Sequence, residues 1–562
     1  MKSHSVTRPL WKQLSATLLT IALLSSLAFG QASATKPSTT LTADETKAAA
    51  LVKVETIKEV TADLSAKAME GRGTAQPGGN RAAKYLADKF AKLGLKPLGD
   101  AGSYLQAIKF YGSQPLAGSS FTAGDAALKF GTDYIVTPPF MSELTEASGQ
   151  LVFISYGVVS PELKRDDLAG LDVKGKVVVI LNGRPKNIDE ATWQKAANPQ
   201  AIGRSLIGRG AAALVIANGG SKQQPFSLIS MYLTRRRVAL NDTPIMPFKL
   251  PPIILASDEG MEKIFAGTGL TYVAALAKAE NGEMVSRDLN KQATLSIKVK
   301  KEATTGSNVV GLLEGSDPRL KDQAVVYTAH YDAFGIDSSG RIFPGAADNA
   351  LGVGEIMAMA EAFTRSPTKP RRSIIFLAVT GEEHGLLGAQ HWVTHPTWPL
   401  EKIAADLNFD GIGTEVYAPV KRIVGFGAEY SDLGPVLEAV VTANGGQIAE
   451  DPLPEERVFY RSDHYAFVKA GVPALMLLGG PEGEVKPWIT RAQKWMETDY
   501  HQTGDIIHPD WNWDGARTVA VIGLVVGMRV ANAEAMPAWI KGSQFDKPRG
   551  GGPKPPAAQP VN

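Results

Sequence analysis

The stretch SIIFLAVTGEE, residues 373–383, places an apolar run directly before two adjacent carboxylates. Two further stretches have the same layout, since AVVYTAH ends in His330 and IAADLNFD ends in Asp410. Such short apolar runs, alternating with helical patterns, predict an α/β fold with a mainly parallel central sheet and helices on both faces. Ligands of open α/β sheets bind at the carboxyl ends of the strands. We therefore expect these strand-end side chains to meet at one edge of the sheet: His330, Glu382, Glu383 and Asp410.

Two more segments offer metal-binding side chains. Asp348 lies in PGAADNALG (344–352), where a loop enters a predicted helix and the amides of the helix N-terminus would hold its carboxylate. A simple helix cap is the alternative interpretation of this residue. His501 lies in DYHQTGD (499–505) and, taken alone, is typical of a structural histidine.

The spacing of the remaining Asp and His residues indicates which of them could support a metal site at this edge of the sheet. Asp332 follows His330 by two residues, so both side chains point the same way in an extended chain and the carboxylate can orient the imidazole. His391 and His395 are four apart on a predicted helix, which is a zinc-binding spacing. No glutamate follows His391 and a proline ends that helix, so we expect no catalytic metal there. His384 is interpreted as a neighbour of the site.

The composition is that of a globular protein and excludes several functions. With 562 residues the chain exceeds a single hydrophobic core, which stops growing at roughly 250 to 300 residues, so we expect two folded units plus tails. The formal net charge of +2 lacks the basic excess of a nucleic-acid binder. Because the chain contains no cysteine, any metal site must use His, Asp and Glu.

The N-terminus has the three parts of a secretory signal peptide. Lys2, Arg8 and Lys12 precede an uncharged apolar run over 16–29, and Ala-Ser-Ala follows at 32–34. The run is shorter than the ~20 residues that span a bilayer, which disfavours a membrane anchor. We therefore predict a signal peptide over 1–34, export to the periplasm or the extracellular space, and no stable membrane anchor after cleavage.

Residues 35–130 are expected to form the first part of the main domain. Two helical patterns occur in them, over 43–64 and 80–93. The glycine-rich segment over 71–79 lies between these patterns and predicts an exposed loop.

The rest of the chain divides into three segments with different sequence patterns. Residues 131–290 carry short β-rich runs and no histidine up to residue 280, which predicts a second, smaller domain without catalytic residues. Residues 291–540 carry the strand-and-helix alternation of the main domain. Residues 541–562 are rich in Pro and Gly, and we expect a disordered tail there.

Five segments occur in an order that resembles a known enzyme family. The segments TAHYDA, PGAADNALG, VTGEEHGLLGA, LNFDGIG and DYHQTGD are similar to those of the co-catalytic zinc exopeptidases, which include bacterial leucyl aminopeptidases and glutamate carboxypeptidase II. The stretch MEGRGTAQPGGNRAAKYLADKF resembles the opening of that family's peptidase domain. The stretch YGVVSPELKRDDLAGLDVKGKVVVILNGRP resembles the protease-associated domain that many members carry as an insertion.

The resemblance implies a pair of zinc ions bridged by Asp348 and a water. His330 and Asp410 would bind one ion, and Glu383 and His501 would bind the other. It also implies a fold in which residues 131–290 are the protease-associated insert within a zinc exopeptidase, phosphorylase/hydrolase-like domain.

Further roles follow from the same resemblance. Glu382 would be the general base and Asp332 the partner of the histidine ligand. His464 is a candidate to stabilise the oxyanion, with Tyr460 as its rival. The implied activity is that of an aminopeptidase that acts on peptides with a free N-terminus.

Three alternatives remain open at the level of the sequence. A carboxypeptidase with the same insert is conceivable, as is a glutaminyl cyclase, which shares the fold but uses a single zinc. A non-catalytic receptor is the alternative from another class, since some relatives kept the fold and lost zinc ligands. The sequence predicts no oligomeric state and no side-chain preference.

Overall fold

The structure is a computed structural model that describes residues 37–137, 143–219, 225–241, 251–337, 340–411 and 419–550. The predicted signal peptide, residues 1–34, lies outside this described part, as do residues 551–562 of the predicted tail. From Ser38 onward, the described chain forms a single compact unit. Within it, no helix combines the length and the apolar character needed to cross a bilayer.

The first part of the chain supplies three helices and two strands: α1 (Ala43–Ala50), α2 (Val54–Ser65), α3 (Pro77–Lys92), β1 (Lys96–Pro97) and β2 (Leu105–Pro115). The predicted helix over 43–64 is therefore two helices. A capping box fixes the start of α1, because Thr42 accepts from the Glu45 amide and the Glu45 carboxylate accepts from the Thr42 amide. Helix α3 starts with a proline, the residue whose missing N–H is tolerated at that position.

Residues 71–75, between α2 and α3, are buried, so the prediction of an exposed loop is wrong there. The guanidinium of the fully buried Arg72 donates to the backbone oxygens of Leu64, Tyr331 and Gly345 at 2.8, 2.6 and 2.7 Å. Gly71 has a φ of 64°, and a Cβ there would meet a backbone oxygen at 2.4 Å. Glycine thus permits a close backbone approach at this point, and Arg72 holds the turn that carries Asp348.

The inserted region has its own sheet, helices and apolar core. Its elements are β3 (Ser120–Ala123), β4 (Ala126–Leu128), β5 (Tyr134–Val136), β6 (Leu144–Phe153), β7 (Val159–Ser160), β8 (Arg165–Asp166), β9 (Val177–Ile180), α4 (Glu190–Ala196), α5 (Pro199–Gly208), β10 (Ala213–Ala217), α6 (Phe226–Leu233), β11 (Arg237–Leu240), β12 (Ile253–Ala256), α7 (Asp258–Phe265) and α8 (Tyr272–Glu280). Strands β6, β9, β10 and β12 are parallel neighbours. Phe121, Phe153 and Phe265 lie in the core that they enclose.

One long strand, β13 (Arg287–Leu313), belongs to both sheets of the molecule. Its first part pairs with β3 and β6 of the inserted region, as far as Lys298. It then pairs antiparallel with β2, starting where Val299 faces Pro115, and ends beside the central sheet. The sheet of the inserted region therefore extends on both sides of the predicted range 131–290.

The remaining elements form the rest of the main domain. They are β14 (Ala324–His330), β15 (Gly335–Ile336), β16 (Ile342–Phe343), α9 (Gly352–Arg365), β17 (Ser373–Val379), α10 (Leu387–Thr394), β18 (Ile403–Asn408), β19 (Arg422–Phe426), α11 (Leu433–Ala443), β20 (Gln447–Ala449), α12 (His464–Lys469), β21 (Ala474–Gly479), α13 (Val485–Thr498) and α14 (Trp513–Asn532).

The central sheet is mixed, and its middle four strands are parallel in the order β17, β14, β18, β21. Alternate residues of β14 face opposite sides: Tyr327 packs in the core shared with α2, α9 and α14, and Val326 packs in the core shared with α10 and α12. The predicted α/β class, with a mainly parallel central sheet and helices on both faces, is confirmed. Strands β14, β17 and β18 end side by side, which brings the strand-end residues to one edge.

The chain after α14 does not start a disordered tail at residue 541. Phe545 is buried in an apolar cluster with Trp539 packed against it. The Arg549 guanidinium donates to the backbone oxygens of Ile403 and Ala404 at 2.8 and 3.1 Å. The prediction of disorder rested on Pro and Gly content alone. Composition does not reveal the contacts that Phe545 and Arg549 make with the main domain.

Candidate functional site

The structure brings the five predicted metal ligands together in two groups that share one carboxylate. His330, Asp348 and Asp410 form the first group, and Asp348, Glu383 and His501 form the second. Within each group the nitrogen and oxygen donors lie within 4.8 Å of one another. His330, Asp348 and Glu383 are buried, and the other two are partly exposed. Each group has the residue types and the spacing to hold a metal ion.

Asp348 is the carboxylate common to both groups. Its Oδ1 lies 3.2 Å from His330 Nε2, and its Oδ2 lies 3.3 Å from His501 Nε2. The outer carboxylates complete the groups, since Asp410 Oδ1 and Glu383 Oε2 each lie 3.2 Å from the histidine of their own group. Two ligands bound at about 2.0 Å to one tetrahedral zinc lie roughly 3.3 Å apart. The spacing therefore fits one zinc ion in each group.

A π-helical turn, Ala346–Leu351, presents Asp348 ahead of helix α9. The backbone amides of Ala347 and Asp348 donate to the two carboxylate oxygens of Asp505 at 2.7 and 3.0 Å. The amides of this turn thus hold Asp505, and the prediction that they hold the Asp348 carboxylate is wrong. As a result, both oxygens of Asp348 face the two histidines.

Asp505 is a residue of the site that sequence reasoning missed, although it ends the quoted segment DYHQTGD. Its carboxyl group is 2% exposed. Burial is the largest influence on it and raises its pKa to about 7, despite the two amide hydrogen bonds that favour the ionised form. Its position implies a supporting role, because it fixes the backbone of the turn from which Asp348 projects.

Asp505→Asn is expected to lower the free energy of unfolding by about 1 to 3 kcal/mol, because the amide group offers one acceptor oxygen where two buried backbone N–H groups need acceptors. Urea unfolding of the zinc-free protein measures this change without a contribution from metal binding. Asp322→Asn, at an exposed aspartate, is the matched control and should unfold like the wild type. Equal stability of the Asp505 variant would contradict the supporting role.

Asp332 contacts His330 mainly through its backbone. His330 Nδ1 lies 3.2 Å from the Asp332 carbonyl oxygen and 3.7 Å from the carboxylate Oδ1. The carboxylate accepts from the Thr74 hydroxyl at 2.6 Å and from the Glu382 amide at 3.3 Å. Asp332 thus joins the histidine strand to the segment that carries the two glutamates.

Glu382 faces the first donor group from the side of an open cavity. Its Oε2 lies 3.9 Å from His330 Nε2, farther than the oxygens of the two ligand carboxylates. Burial raises the pKa of Glu382 well above its ordinary value, and the nearby carboxylates of Asp410 and Glu383 raise it further. A carboxyl group with a raised pKa, close to the metal ligands but outside them, is suited to proton transfer.

An open cavity adjoins both donor groups. Its acidic side includes Asp348, Glu382 and Asp410, and its apolar side consists of Leu453, Val458, Met476, Trp495 and Met496. Arg461 is the one basic side chain among the described residues that line it, and its Nη1 pairs with the Glu456 carboxylate at 2.9 Å. The cavity therefore suits an apolar side chain.

Neither predicted oxyanion candidate lines this cavity. His464 is fully buried in α12 with its ring against Phe459, and no described residue pairs with its Nε2. Tyr460 is also absent from the described lining. Tyr500 does line the cavity, and its hydroxyl accepts from Arg461 Nη2 at 3.4 Å. Tyr500 is therefore the better-placed donor, and sequence reasoning missed it although it precedes His501.

His464→Asn is expected to weaken the pH dependence of stability. Burial lowers the pKa of His464 to about 3, so the folded protein keeps this imidazole neutral. An unfolded histidine takes up a proton near pH 6.5, so the stability that His464 contributes is complete above pH 6.5 and is lost as the pH falls towards 3. Wild type should lose about 2 kcal/mol more than the variant between pH 6.5 and pH 5. Urea unfolding of both zinc-free proteins at the two pH values tests this, and parallel pH profiles would contradict it.

Among the described residues, the other histidines belong to neither donor group. His391 and His395 stack on each other with ring centroids 4.5 Å apart, and neither belongs to either group. Burial, and then the Arg237 guanidinium, lowers the pKa of His384 to about 3, so this imidazole stays neutral.

The inserted region contacts a metal ligand of the site, although the sequence predicted only that this region carries no catalytic residues. The ring of Tyr232 stacks on that of His501, and the guanidinium of Arg235 donates to the His501 backbone oxygen. The three consecutive arginines at 235–237 are the feature of this segment that is visible in the sequence. They do not predict a contact with His501.

Comparison with known proteins points to the same part of the chain. Residues 308–525 match the model of Peptidase family M28. The matched segment starts within β13 and ends within α14, so it includes both donor groups and Glu382.

Two curated relatives carry names that describe an activity. A probable leucine aminopeptidase 2 of Aspergillus oryzae is 30% identical over 262 residues, which are 44% of this chain and 48% of the relative. Aminopeptidase YwaD of Bacillus subtilis is 27% identical over 344 residues, which are 60% of this chain and 62% of the relative. The chain thus spans about half the length of the first relative and about three fifths of the second.

Solved structures share the fold of most of this chain. An aminopeptidase from Aneurinibacillus sp. strain AM-1 has a TM-score of 0.57 and 16% identity, and the match covers 88% of this chain and 97% of that one. A zinc aminopeptidase from Bacillus subtilis has a TM-score of 0.52 and 20% identity, with coverage of 86% and 97%. At these identities the likeness shows the fold.

Proposed function

We propose that this chain is a zinc-dependent aminopeptidase, which removes N-terminal residues from peptides that have a free N-terminus. One observation carries the proposal: the two oxygens of Asp348 lie 3.2 and 3.3 Å from two different histidines. A carboxylate in this position joins two metal sites. The curated relatives named above are called aminopeptidases, and one of the similar structures is called a zinc aminopeptidase, which supports the same activity.

In this proposal the two donor groups bind two zinc ions per chain. His330 and Asp410 would hold one ion, Glu383 and His501 would hold the other, and Asp348 would serve both. When bound, zinc would supply Lewis acidity and lower the pKa of a water molecule towards roughly 7.

Two side chains of the cavity then act on the peptide. A carboxylate oxygen of Glu382 takes a proton from the attacking water and passes it to the leaving amine, a role worth typically ~10² to 10⁴ in rate. The Tyr500 hydroxyl donates to the oxygen of the scissile carbonyl as negative charge develops there. Burial raises the pKa of Tyr500 well above its ordinary value, so the phenol keeps the proton that it donates.

The lining of the cavity favours a free amine over a free carboxylate at the end of the substrate. Arg461 is the one basic residue of the described lining, and it is already paired with Glu456 at 2.9 Å. A C-terminal carboxylate therefore meets no free cationic side chain there, which argues for an aminopeptidase and against a carboxypeptidase.

The inserted region and the N-terminus extend the proposal. We infer that the inserted region is a protease-associated domain within the peptidase domain, on the basis of its sequence resemblance and its separate apolar core. We also infer export, because residues 1–34 have the composition of a cleavable signal peptide. The substrates would then be peptides outside the cytoplasm.

The test of the proposed function combines a metal count with two substrates. Elemental analysis of the purified chain should return two zinc ions per chain. Leucyl-nitroanilide should be hydrolysed, and N-acetyl-leucyl-nitroanilide, which lacks the free amine, should not. Chelation should abolish the activity and added zinc should restore it.

Two further substrates, a peptide that starts with glutamine and an N-acetylated peptide with a free C-terminus, separate the alternatives. One zinc per chain together with cyclisation of the glutamine peptide would support a glutaminyl cyclase. Release of the C-terminal residue from the N-acetylated peptide would support a carboxypeptidase. Absence of hydrolysis of any peptide at full zinc occupancy would support a receptor.

A further inference from the structure

A segment of the inserted region reaches the metal-binding edge of the main domain. Helix α6 precedes it, and its strand β11 pairs antiparallel with β2, with Arg237 opposite Ser113 and Leu240 opposite Phe110. Arg236 lies between helix and strand, and its Nη1 donates to the Thr74 backbone oxygen at 2.9 Å. These backbone and side-chain bonds fix the segment against the main domain.

Arg235 is the residue of this segment that contacts a metal ligand. Its Nη2 donates to the backbone oxygen of His501 at 2.9 Å. The residue is only 3% exposed, and its guanidinium lies 4.4 Å from the centre of the Phe334 ring and 3.9 Å from that of Phe343. Two aromatic faces at these distances stabilise the cation and hold the planar group in one orientation.

The conformation of His501 explains why such a contact matters. His501 has a φ of 58°, a left-handed conformation that residues other than glycine rarely adopt. Its ring stacks on Tyr232 with an interplanar angle of 9° and meets the edge of Phe334 at 4.7 Å. The backbone and the ring of His501 are thus both held by residues from outside its own turn.

Among the described residues, no hydrogen bond or ion pair joins His330 or Asp410 of the first donor group directly to the inserted region. His330 is the last residue of β14, in the middle of the central sheet, and its Nδ1 lies 3.2 Å from the Asp332 carbonyl oxygen. Asp410 follows β18, the neighbouring parallel strand. His501, by contrast, lies on the turn after α13. The two groups are therefore supported by different parts of the molecule.

We propose that Arg235 is a positioning residue for His501, through which the inserted region controls metal binding at the Asp348–Glu383–His501 group and leaves the His330–Asp348–Asp410 group unaffected. This inference rests on the proposed function for its zinc, but its structural part does not require zinc. Arg235 acts through His501 and not on the substrate, because it is absent from the lining of the cavity and its guanidinium is covered by aromatic rings.

The test uses the full chain with Arg235→Met, which keeps much of the side-chain volume and removes the donor and the charge. Zinc titration against a competing chelator should show one of the two zinc ions bound about 10- to 100-fold more weakly, the range found when a group that orients a metal ligand is lost. The other ion should keep its affinity. Arg235→Lys, which retains a donor and a charge, should fall between the variant and the wild type.

A matched control is available in the same region. Arg184 also donates to backbone oxygens, those of Pro185 and Ile188, but within its own loop. Arg184→Met should keep both zinc affinities. Equal weakening of both ions by Arg235→Met, or no weakening of either, would overturn the proposal.

Hydrogen–deuterium exchange separates this proposal from the proposed function. In chelated protein that still melts cooperatively, Arg235→Met should speed amide exchange in the peptide that contains His501 and leave the peptide that contains Asp410 unchanged. If the wild type bound no zinc but this exchange pattern appeared, the proposed function would fail and the positioning role would stand. An unchanged exchange pattern would refute the positioning role whatever the zinc count.

Discussion

Glu382→Gln is expected to lower kcat by about 10²- to 10⁴-fold while both zinc ions stay bound. The side chain lies 3.9 Å from His330 Nε2, beyond the ligand oxygens, so its loss removes a proton carrier and no ligand. The amide of glutamine has nearly the same shape and cannot accept the proton from water. Steady-state hydrolysis of leucyl-nitroanilide, together with elemental analysis of the same sample, measures both quantities.

The neighbouring glutamate provides the control for this result. Glu383 Oε2 lies 3.2 Å from His501 Nε2, so Glu383→Gln should weaken zinc binding. At full zinc occupancy its kcat should change less than its zinc affinity. If Glu382→Gln instead lost zinc, and Glu383→Gln kept it, the roles of the two residues would have to be exchanged. If neither variant lost activity, Glu382 would not be the general base.

Asp348→Ala is expected to remove zinc-dependent stability at both metal positions. Each bound ion adds RT ln(1 + [Zn]/Kd) to the free energy of unfolding, which is about 2.7 kcal/mol at a free zinc concentration of 100 times Kd. Because Asp348 faces both histidines, its loss should abolish up to roughly 5 kcal/mol of this gain. Thermal and urea unfolding with zinc and with chelator measure the gain in the variant and the wild type.

Two comparisons make the Asp348 result specific. Asp410→Ala, which removes a ligand of one group only, should lose about half of the zinc-dependent gain. Asp322→Ala, at an exposed aspartate outside both groups, should lose none. A full zinc-dependent gain in Asp348→Ala would show that the carboxylate bridges no metal.

The strand ends could be predicted from the sequence because the signal is local. The strands before His330, Glu382 and Asp410 are six or seven residues long and mostly apolar, and every residue of β14, β17 and β18 is buried. Burial on both faces requires such runs, and parallel neighbours must end at the same edge. The position of these side chains therefore followed from periodicity and topology alone.

The supporting residues could not be predicted because their contacts cross long distances in the chain. Asp505 accepts from the Ala347 amide across 158 residues, and Arg235 donates to His501 across 266 residues. No periodicity or local propensity encodes such a pair. Likewise, the glycines near Arg72 indicated a loop, because a sequence does not distinguish glycine used for flexibility from glycine used for close approach.

The resemblance to a known family identified ligand candidates that the local sequence patterns did not, but one of its assignments did not fit the cavity. It pointed to Asp348 and His501 as ligands, and the structure brings both beside the strand-end residues. It also pointed to His464, which the structure buries in α12 away from the cavity lining. Similarity of a short segment does not report which way its side chains point.

The register of β13 has a consequence for how the chain is built. Pro115 at the end of β2 faces Val299 in β13, so the chain leaves the main domain and returns to it at adjacent points of one antiparallel ladder. The whole inserted region is thus, in topology, the loop of a β-hairpin, and a short turn could close the same ladder. A protein shortened in this way would keep its central sheet, but β2 would become an unprotected edge strand open to aggregation.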